Sequence, residues 1–329
     1  MRIAYLLIVL GLILGGGFAW QGYVRFVQPG PLAAETNVVI HRGSGFGDIA
    51  GELFRAGVIS DPLAFQFGAR FLGADKALRA GEYAFPARIS PREALAVLQS
   101  GRTVIRRLTI AEGLTTAQVL AQLAAADGLD GKIGAEFMDT PWLKEGSLLP
   151  ETYHFSFGDQ RNDMLKRMAG AMAQLLTSQW QARAYGGPLK SHEEALILAS
   201  IIEKETSLPN ERARIAGVFI NRLRKGMRLQ SDPTAAYGIT LGKEVLGRPL
   251  TRADLKNPTP FNTYAIDGLP PSPICNPGRE SIAAALHPAE TDELYFVADG
   301  AGGHVFARTL DEHNLNVARW RKITNEQRE

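Results

Sequence analysis

A single cysteine, Cys275, stands in the 329 residues, which excludes an intramolecular disulfide and a cysteine-rich metal site. Histidine ligand patterns are missing too: His192, His287, His304 and His313 lie far apart, without the HExxH or paired spacing of a zinc centre. Charge of one sign is scarce. The net charge is +2, evenly spread, and no basic stripe interleaved with aromatics appears, so no nucleic-acid partner is expected. No metal and no cofactor is expected, and any chemistry has to rest on side chains. What is present is apolar mass, 45% of the chain, enough for the cores of two or three domains.

The longest apolar run is at the start. From Ile3 to Trp20 no charge occurs, and Trp20 and Tyr23 follow where an interfacial aromatic belt would lie. Gly11, Gly15, Gly16 and Gly17 weaken the run, and Gly17-Phe18-Ala19 also fits a signal-peptide cleavage site. The run is longer than a signal-peptide core and leads directly into aromatics, so residues 1–22 read as a transmembrane anchor. Arg2 and the amino terminus place the short end inside and the bulk of the chain outside the cytoplasmic (inner) membrane, on the periplasmic side.

Residues 23–37, with Pro29-Gly30-Pro31, read as a linker. A strand at Val38–Ile40, helices over 46–56 and from Ser60-Asp61-Pro62 to Leu72, and a strand at Gly81–Phe85 give a strand–helix–helix–strand layout. By layout alone this resembles a LysM module, a small fold associated with N-acetylglucosamine-containing glycans; a plain spacer fits equally well. A helix from Ser90-Pro91 to Gln99, a strand over 104–110 and a helix from Thr115 or Thr116 to Ala126 complete a region at 38–130. The chain is thus read as α+β, with a larger α+β domain at 131–329.

In that larger domain, a helix from Ser191 to Lys204 is apolar almost all round. Ser191 is its N-cap, and Glu194 completes a capping box. At about 100° per residue, Ala195 to Ile202 cover most of the circumference, as in a buried helix. Its end, Ile201-Ile202-Glu203-Lys204-Glu205-Thr206, carries two acids pointing roughly opposite ways, so at most one faces a given cleft. Acids there oppose the helix dipole at about 0.3–1 kcal/mol each. They fit either a solvated last turn or a retained carboxyl, and a carboxyl in so apolar a setting is expected to hold its proton near neutral pH, as a general acid must. Before this helix come a strand-and-turn segment at 145–155 and an amphipathic helix over 162–180. An arginine-rich helix over 210–225 follows, then Ser231-Asp232-Pro233 as a tight turn, a proline-rich surface loop at 268–278, and a hairpin of 294–298 with 304–306.

Several of these strings, in order, resemble the endolytic peptidoglycan transglycosylase family, the membrane-anchored lytic transglycosylases of bacterial cell-wall synthesis. The carriers are Glu145-Gly146 with Pro150 to Tyr153, Ala199 to Thr206, Phe219 to Leu223, Met227 to Thr234, Asn262-Thr263-Tyr264, Gly268 to Pro271 and Tyr295 to Ala298. Ser272 stands where the family often has glycine. The resemblance implies one catalytic glutamate, placed on Glu203, and makes Gln230, Ser231, Asp232, Asn262, Thr263 and Tyr264 candidate substrate-binding residues. Peptidoglycan glycan strands are the implied substrate, with the cell membrane and peptidoglycan synthases as partners.

The implied chemistry needs one carboxyl. Glu203 would protonate the oxygen of the β-1,4 bond leaving N-acetylmuramic acid, the 2-acetamido group would stabilise the cationic centre, and Glu203 would then take the proton from the C6 hydroxyl as it closes a 1,6-anhydro ring. Two alternatives stay open. A hydrolytic muramidase needs a second carboxylate to position water, with Asp232 or Glu151 as candidates. A non-enzymatic glycan-binding scaffold needs none.

Overall fold

A computed structural model describes residues 2–74, 78–134, 140, 142–184 and 186–326. Met1, whose amino group enters the orientation argument, lies outside them. The chain divides into two compact units. One comprises Met1–Leu108, Asp127–Asp130 and His154–Gln160, and the other Thr109–Ala126, Gly131–Tyr153 and Arg161–Glu329.

In the first unit, helix α1 (Arg2–Val27) contains a stretch, Tyr5–Val27, long and apolar enough to cross a membrane, with a mean hydropathy of 1.6. The helix continues through residues 23–27, and its last turn joins the folded unit. Phe26 is buried in the core, and Arg25 Nη1 pairs with Asp61 Oδ2 at 2.8 Å. Strands β1 (Thr36–Ile40) and β2 (Gly81–Phe85) pair antiparallel, with Val38 opposite Tyr83. Between them run α2 (Phe46–Arg55) and α3 (Pro62–Phe71). Asp61 caps α3 by accepting the N–H groups of Leu63 and Ala64, each at 3.0 Å, and Pro62 starts it with the fixed φ of a first helical residue. Those backbone bonds, led by Ala64 and followed by Arg25, hold the Asp61 carboxyl below its usual range. Helix α4 (Pro91–Ser100) carries a full Ser90–Glu93 capping box and ends on left-handed Gly101. Ile40, Leu53, Phe65, Tyr83, Phe85 and Leu95 form the core. Strand β3 (Ile105–Thr109) pairs with β5 (Thr152–Ser156), and the short β4 (Leu129–Asp130) runs parallel to β6 (Asp159–Gln160).

The second unit is mainly helical. Helices α5 (Thr116–Ala125), α6 (Arg161–Gln181), α7 (His192–Glu205) and α8 (Pro209–Arg224) precede α9 (Asp232–Thr240), α10 (Arg252–Lys256) and α11 (Arg279–Leu286). The antiparallel hairpin of β7 (Tyr295–Ala298) and β8 (His304–Ala307) and helix α12 (Leu310–Glu326) close it. Helix α7 is its axis: Ile197, Leu198, Ile201 and Ile202 are buried with Met172 and Leu175 of α6, Ile215 and Phe219 of α8, and Ile282 and Ala285 of α11. An apolar circumference produces this central placement, because each face must find a partner.

Three local readings are corrected. Ser191 does cap α7 by accepting the Glu194 N–H, but the Glu194 carboxylate takes the N–H of Lys190 at 2.6 Å, so the reciprocal half of the box is displaced by one residue. Ser231-Asp232-Pro233 begins α9 instead of forming a turn, since proline in a first helical turn costs no hydrogen bond. The end of the proline-rich loop, residues 273–278, is buried and not at the surface. Its backbone is satisfied from inside: Ile274 N–H donates to Ser200 Oγ at 3.0 Å, and the backbone and side chain of Asn276 bond neighbouring segments.

Candidate active site

The two acids that end α7 do face different surroundings, as their spacing requires. The Glu203 side chain is 6% exposed, and its Oε2 accepts the N–H of Gly278 at 2.8 Å. Arg212, in the first turns of α8, places Nη2 3.9 Å from Glu203 Oε1 and 3.6 Å from Glu112 Oε2. Glu112 is 43% exposed, so the group opens to solvent on its side. Burial, followed by the negative charge of Glu203, holds the Glu112 carboxyl above the usual range, against the pull of Arg212. Arg212 Nε is buried with no hydrogen-bond partner among the described residues, which leaves donor capacity beside both acids.

The surrounding backbone is clamped. Gly113 N–H donates to Asn276 O at 3.0 Å, and Asn276 returns both its N–H and its Nδ2 to Leu114 O at 2.8 and 3.0 Å. Asn276 Oδ1 accepts the Leu148 N–H at 2.8 Å. Half-buried Glu145 holds the start of α5 through the Thr116 N–H at 2.7 Å and accepts from Tyr237 Oη at 3.2 Å. Its carboxyl is raised by burial, partly offset by these bonds. A Cβ on Gly278 would stand 1.8 Å from Glu112 Oε1, so a side chain there would displace Glu112 from its place beside Arg212.

Glu205 faces the other candidate residues. Ser231 Oγ donates to its Oε1 at 2.5 Å, and Tyr264 Oη donates to Asp232 Oδ1 at 2.7 Å. Burial pushes the Glu205 carboxyl up to about 7, with the Ser231 bond lowering it and the charge of Asp232 raising it. Gln230 is exposed and held at φ +52°, a left-handed conformation uncommon outside glycine, while its Oε1 accepts from Arg222 Nη1 at 3.3 Å. The remaining two serve the backbone. Buried Asn262 donates Nδ2 to Asn257 O at 2.7 Å and Leu255 O at 3.0 Å, and buried Thr263 accepts the Ser231 N–H at 2.9 Å.

Gln230, Ser231, Asp232 and Tyr264 therefore gather with Glu205, while Glu203 gathers with Glu112, Arg212 and Gly278. Sequence reasoning did not reach the last three. Glu112-Gly113 was legible only as a turn between strand and helix, and Arg212 carries no spacing signal toward Glu203.

Against this geometry, the family model that matches residues 38–319 is that of the YceG-like family. The chain belongs to the YceG-like family. A Bacillus subtilis (strain 168) relative named endolytic murein transglycosylase is 33% identical, the match covering 96% of this chain and 93% of that protein. A relative of the same name from Streptococcus pneumoniae serotype 2 (strain D39) is 29% identical over 96% of this chain, and the match spans 64% of that longer protein. The 2.6 Å crystal structure of a YceG-like protein from Listeria monocytogenes superposes with a TM-score of 0.52 at 31% identity, covering 86% of this chain and 99% of that one. The YceG-like match takes in Glu112, Glu203, Arg212 and Gly278 together with the Glu205 group, and begins beyond α1.

Proposed function

We propose that this YceG-like chain is a lytic transglycosylase that cuts the β-1,4 bond between N-acetylmuramic acid and N-acetylglucosamine within peptidoglycan strands. Glu203 is the acid and then the base. The observation that carries the assignment is its placement: an enclosed carboxyl at the end of a buried helix, oriented by the Gly278 N–H, with an exposed acid and a buried arginine at the entrance. Glu203 gives its proton to the departing glycosidic oxygen, and the acetamido carbonyl of the same muramic residue stabilises the anomeric carbon. Glu203 then removes the C6 hydroxyl proton as that oxygen bonds to the anomeric carbon. One proton is lent and recovered, and no water enters. Arg212 keeps an anionic Glu203 compatible with burial between the two steps. In this reading α1 anchors the chain with residues 24–329 on the outer side, and the strand–helix–helix–strand of the first unit is a LysM-like module. Action on nascent strands makes peptidoglycan synthases its working partners.

The muramidase alternative now has a specific form. Asp232 is bonded to Tyr264 on the Glu205 side and Glu151 is exposed just before β5, whereas Glu112 shares Arg212 with Glu203, so Glu112 is the acid placed to direct water there. Cleavage of glycan strands in heavy-oxygen water separates the two. The expected products carry unlabelled muramic ends, lighter by one water than hydrolysis gives; labelled reducing ends that vanish in Glu112→Gln would establish the hydrolase instead.

The catalytic region extends beyond 131–329 to include 109–126, because Glu112 and the Gly113, Leu114 and Thr116 bonds hold the Glu203 surroundings. A chain shortened to begin at Gly131 is expected to cleave isolated strands more slowly than one beginning at Thr109, although both retain Glu203. Equal rates in two well-folded fragments would remove Glu112 from the site.

A further inference from the structure

Helix α3 has two opposed apolar faces, and only one is covered. Ala64, Phe65 and Ala69 pack into the core of the first unit, and Gly68 lies against the ring of Phe26, where a Cβ would come within 2.5 Å. Leu63, Phe67 and Phe71 recur at every fourth position and are 65%, 63% and 91% exposed. At about 100° per residue these three share an arc beside the one that meets α1, with Arg70 at its far edge. Phe71 and Leu72 end the helix with large apolar side chains in the open. An apolar groove of about 870 Å³ separates this face from α1, walled by Gly15, Phe18 and Gly22 on one side and Leu63, Phe67 and Phe71 on the other.

We propose that α3 is a membrane-interface helix, its Leu63–Phe67–Phe71 face and the groove beside α1 filled by acyl chains of the outer leaflet. The occupant follows from continuity. The groove wall on α1 belongs to Tyr5–Val27, the stretch apolar enough to span, so lipid surrounding that stretch is in contact with α3 without any rearrangement. The side chains suit the boundary: phenylalanines face the acyl region, Arg70 stands at the edge where a guanidinium reaches lipid phosphate, and the Arg25–Asp61 pair closes the polar end. A single span leaves a protein free to tilt. A second apolar contact on the same folded unit fixes its orientation and height at the bilayer. The inference rests on reading α1 as a membrane span.

The test uses the full chain in nanodiscs of phosphatidylethanolamine and phosphatidylglycerol, with Cys275→Ala to remove the native thiol and an environment-sensitive fluorophore on one introduced cysteine at a time. Labels at Phe67→Cys and Phe71→Cys are expected to shift to the blue and lose most of their emission to shallow spin-labelled lipid. A label at Gln99→Cys, at the end of α4 away from the groove residue Arg92, should keep it. A label at Leu10→Cys, near the middle of the span, reports insertion of α1 through quenching by deep spin-labelled lipid. Quenching at 10 without quenching at 67 and 71 overturns the proposal and leaves the span intact, whereas no quenching at 10 overturns the span itself. Self-quenching at 67 that disappears at one chain per disc would assign the face to a second copy and overturn lipid as the occupant.

Discussion

Replacing Glu203 with glutamine is expected to lower the rate of strand cleavage by about 10²–10⁴, the range that a positioned general acid–base contributes, with only a small change in melting temperature. Glutamine keeps an acceptor for the Gly278 N–H and occupies nearly the same volume. It removes the transferable proton, so both protonation of the leaving oxygen and deprotonation of the C6 hydroxyl lose their agent. The fold should tolerate the change, because Arg212 retains Glu112 at 3.6 Å and the Glu203 contact replaced is the longer of its two. Activity and melting are therefore read together on the same preparation. A normally folded, inactive variant sinks the scaffold reading, since a binding protein does not need the proton. Near-normal turnover would move the acid to Glu205, whose raised carboxyl and bonded neighbours Ser231, Asp232 and Tyr264 are the observation favouring that second assignment.

The choice between two acids separated by one residue explains what the sequence revealed and what it withheld. Residues Ala195 to Ile202 are apolar apart from Ser200, so the central burial of α7 was legible, and the 100° step already set Glu203 and Glu205 on different faces. The segment over 231–240 was not legible as a helix. Asp-Pro-Thr serves a turn and a helix start equally, and Gly238 with Ile239 and Thr240 gives no amphipathic period. Asn262 and Thr263 read as polar groups suited to a sugar, yet their bonds hold an irregular backbone from inside, a need that polarity alone does not distinguish from ligand binding. The meeting of Glu112 with Glu203 through Arg212 depends on the whole packing of α7, α8 and the 273–278 segment. No local pattern encodes a contact between residues so far apart in the chain.

Glu205→Gln is expected to stabilise the second unit at pH 8 by on the order of 3 kcal/mol and to change its stability little below about pH 4.5. The sign follows from the carboxyl being raised on folding from its usual 4.5 to about 7, chiefly by burial. Between those values the folded chain holds a proton that the unfolded chain has released, so stability declines as pH rises from about 4.5 and levels off above about 7. Glutamine remains neutral throughout and still accepts from Ser231 Oγ, so it avoids that decline while keeping the hydrogen bond. Thermal melting of the wild type and the variant across pH 4 to 8 measures the difference, which should open progressively toward alkaline pH. A difference independent of pH would mean that Glu205 does not change its proton affinity on folding. Because Glu203 carries the chemistry in the proposed mechanism, the same variant should retain turnover at pH 7. A stabilised chain that is inactive would instead identify Glu205 as an acid whose burial is maintained for catalysis at a cost in stability.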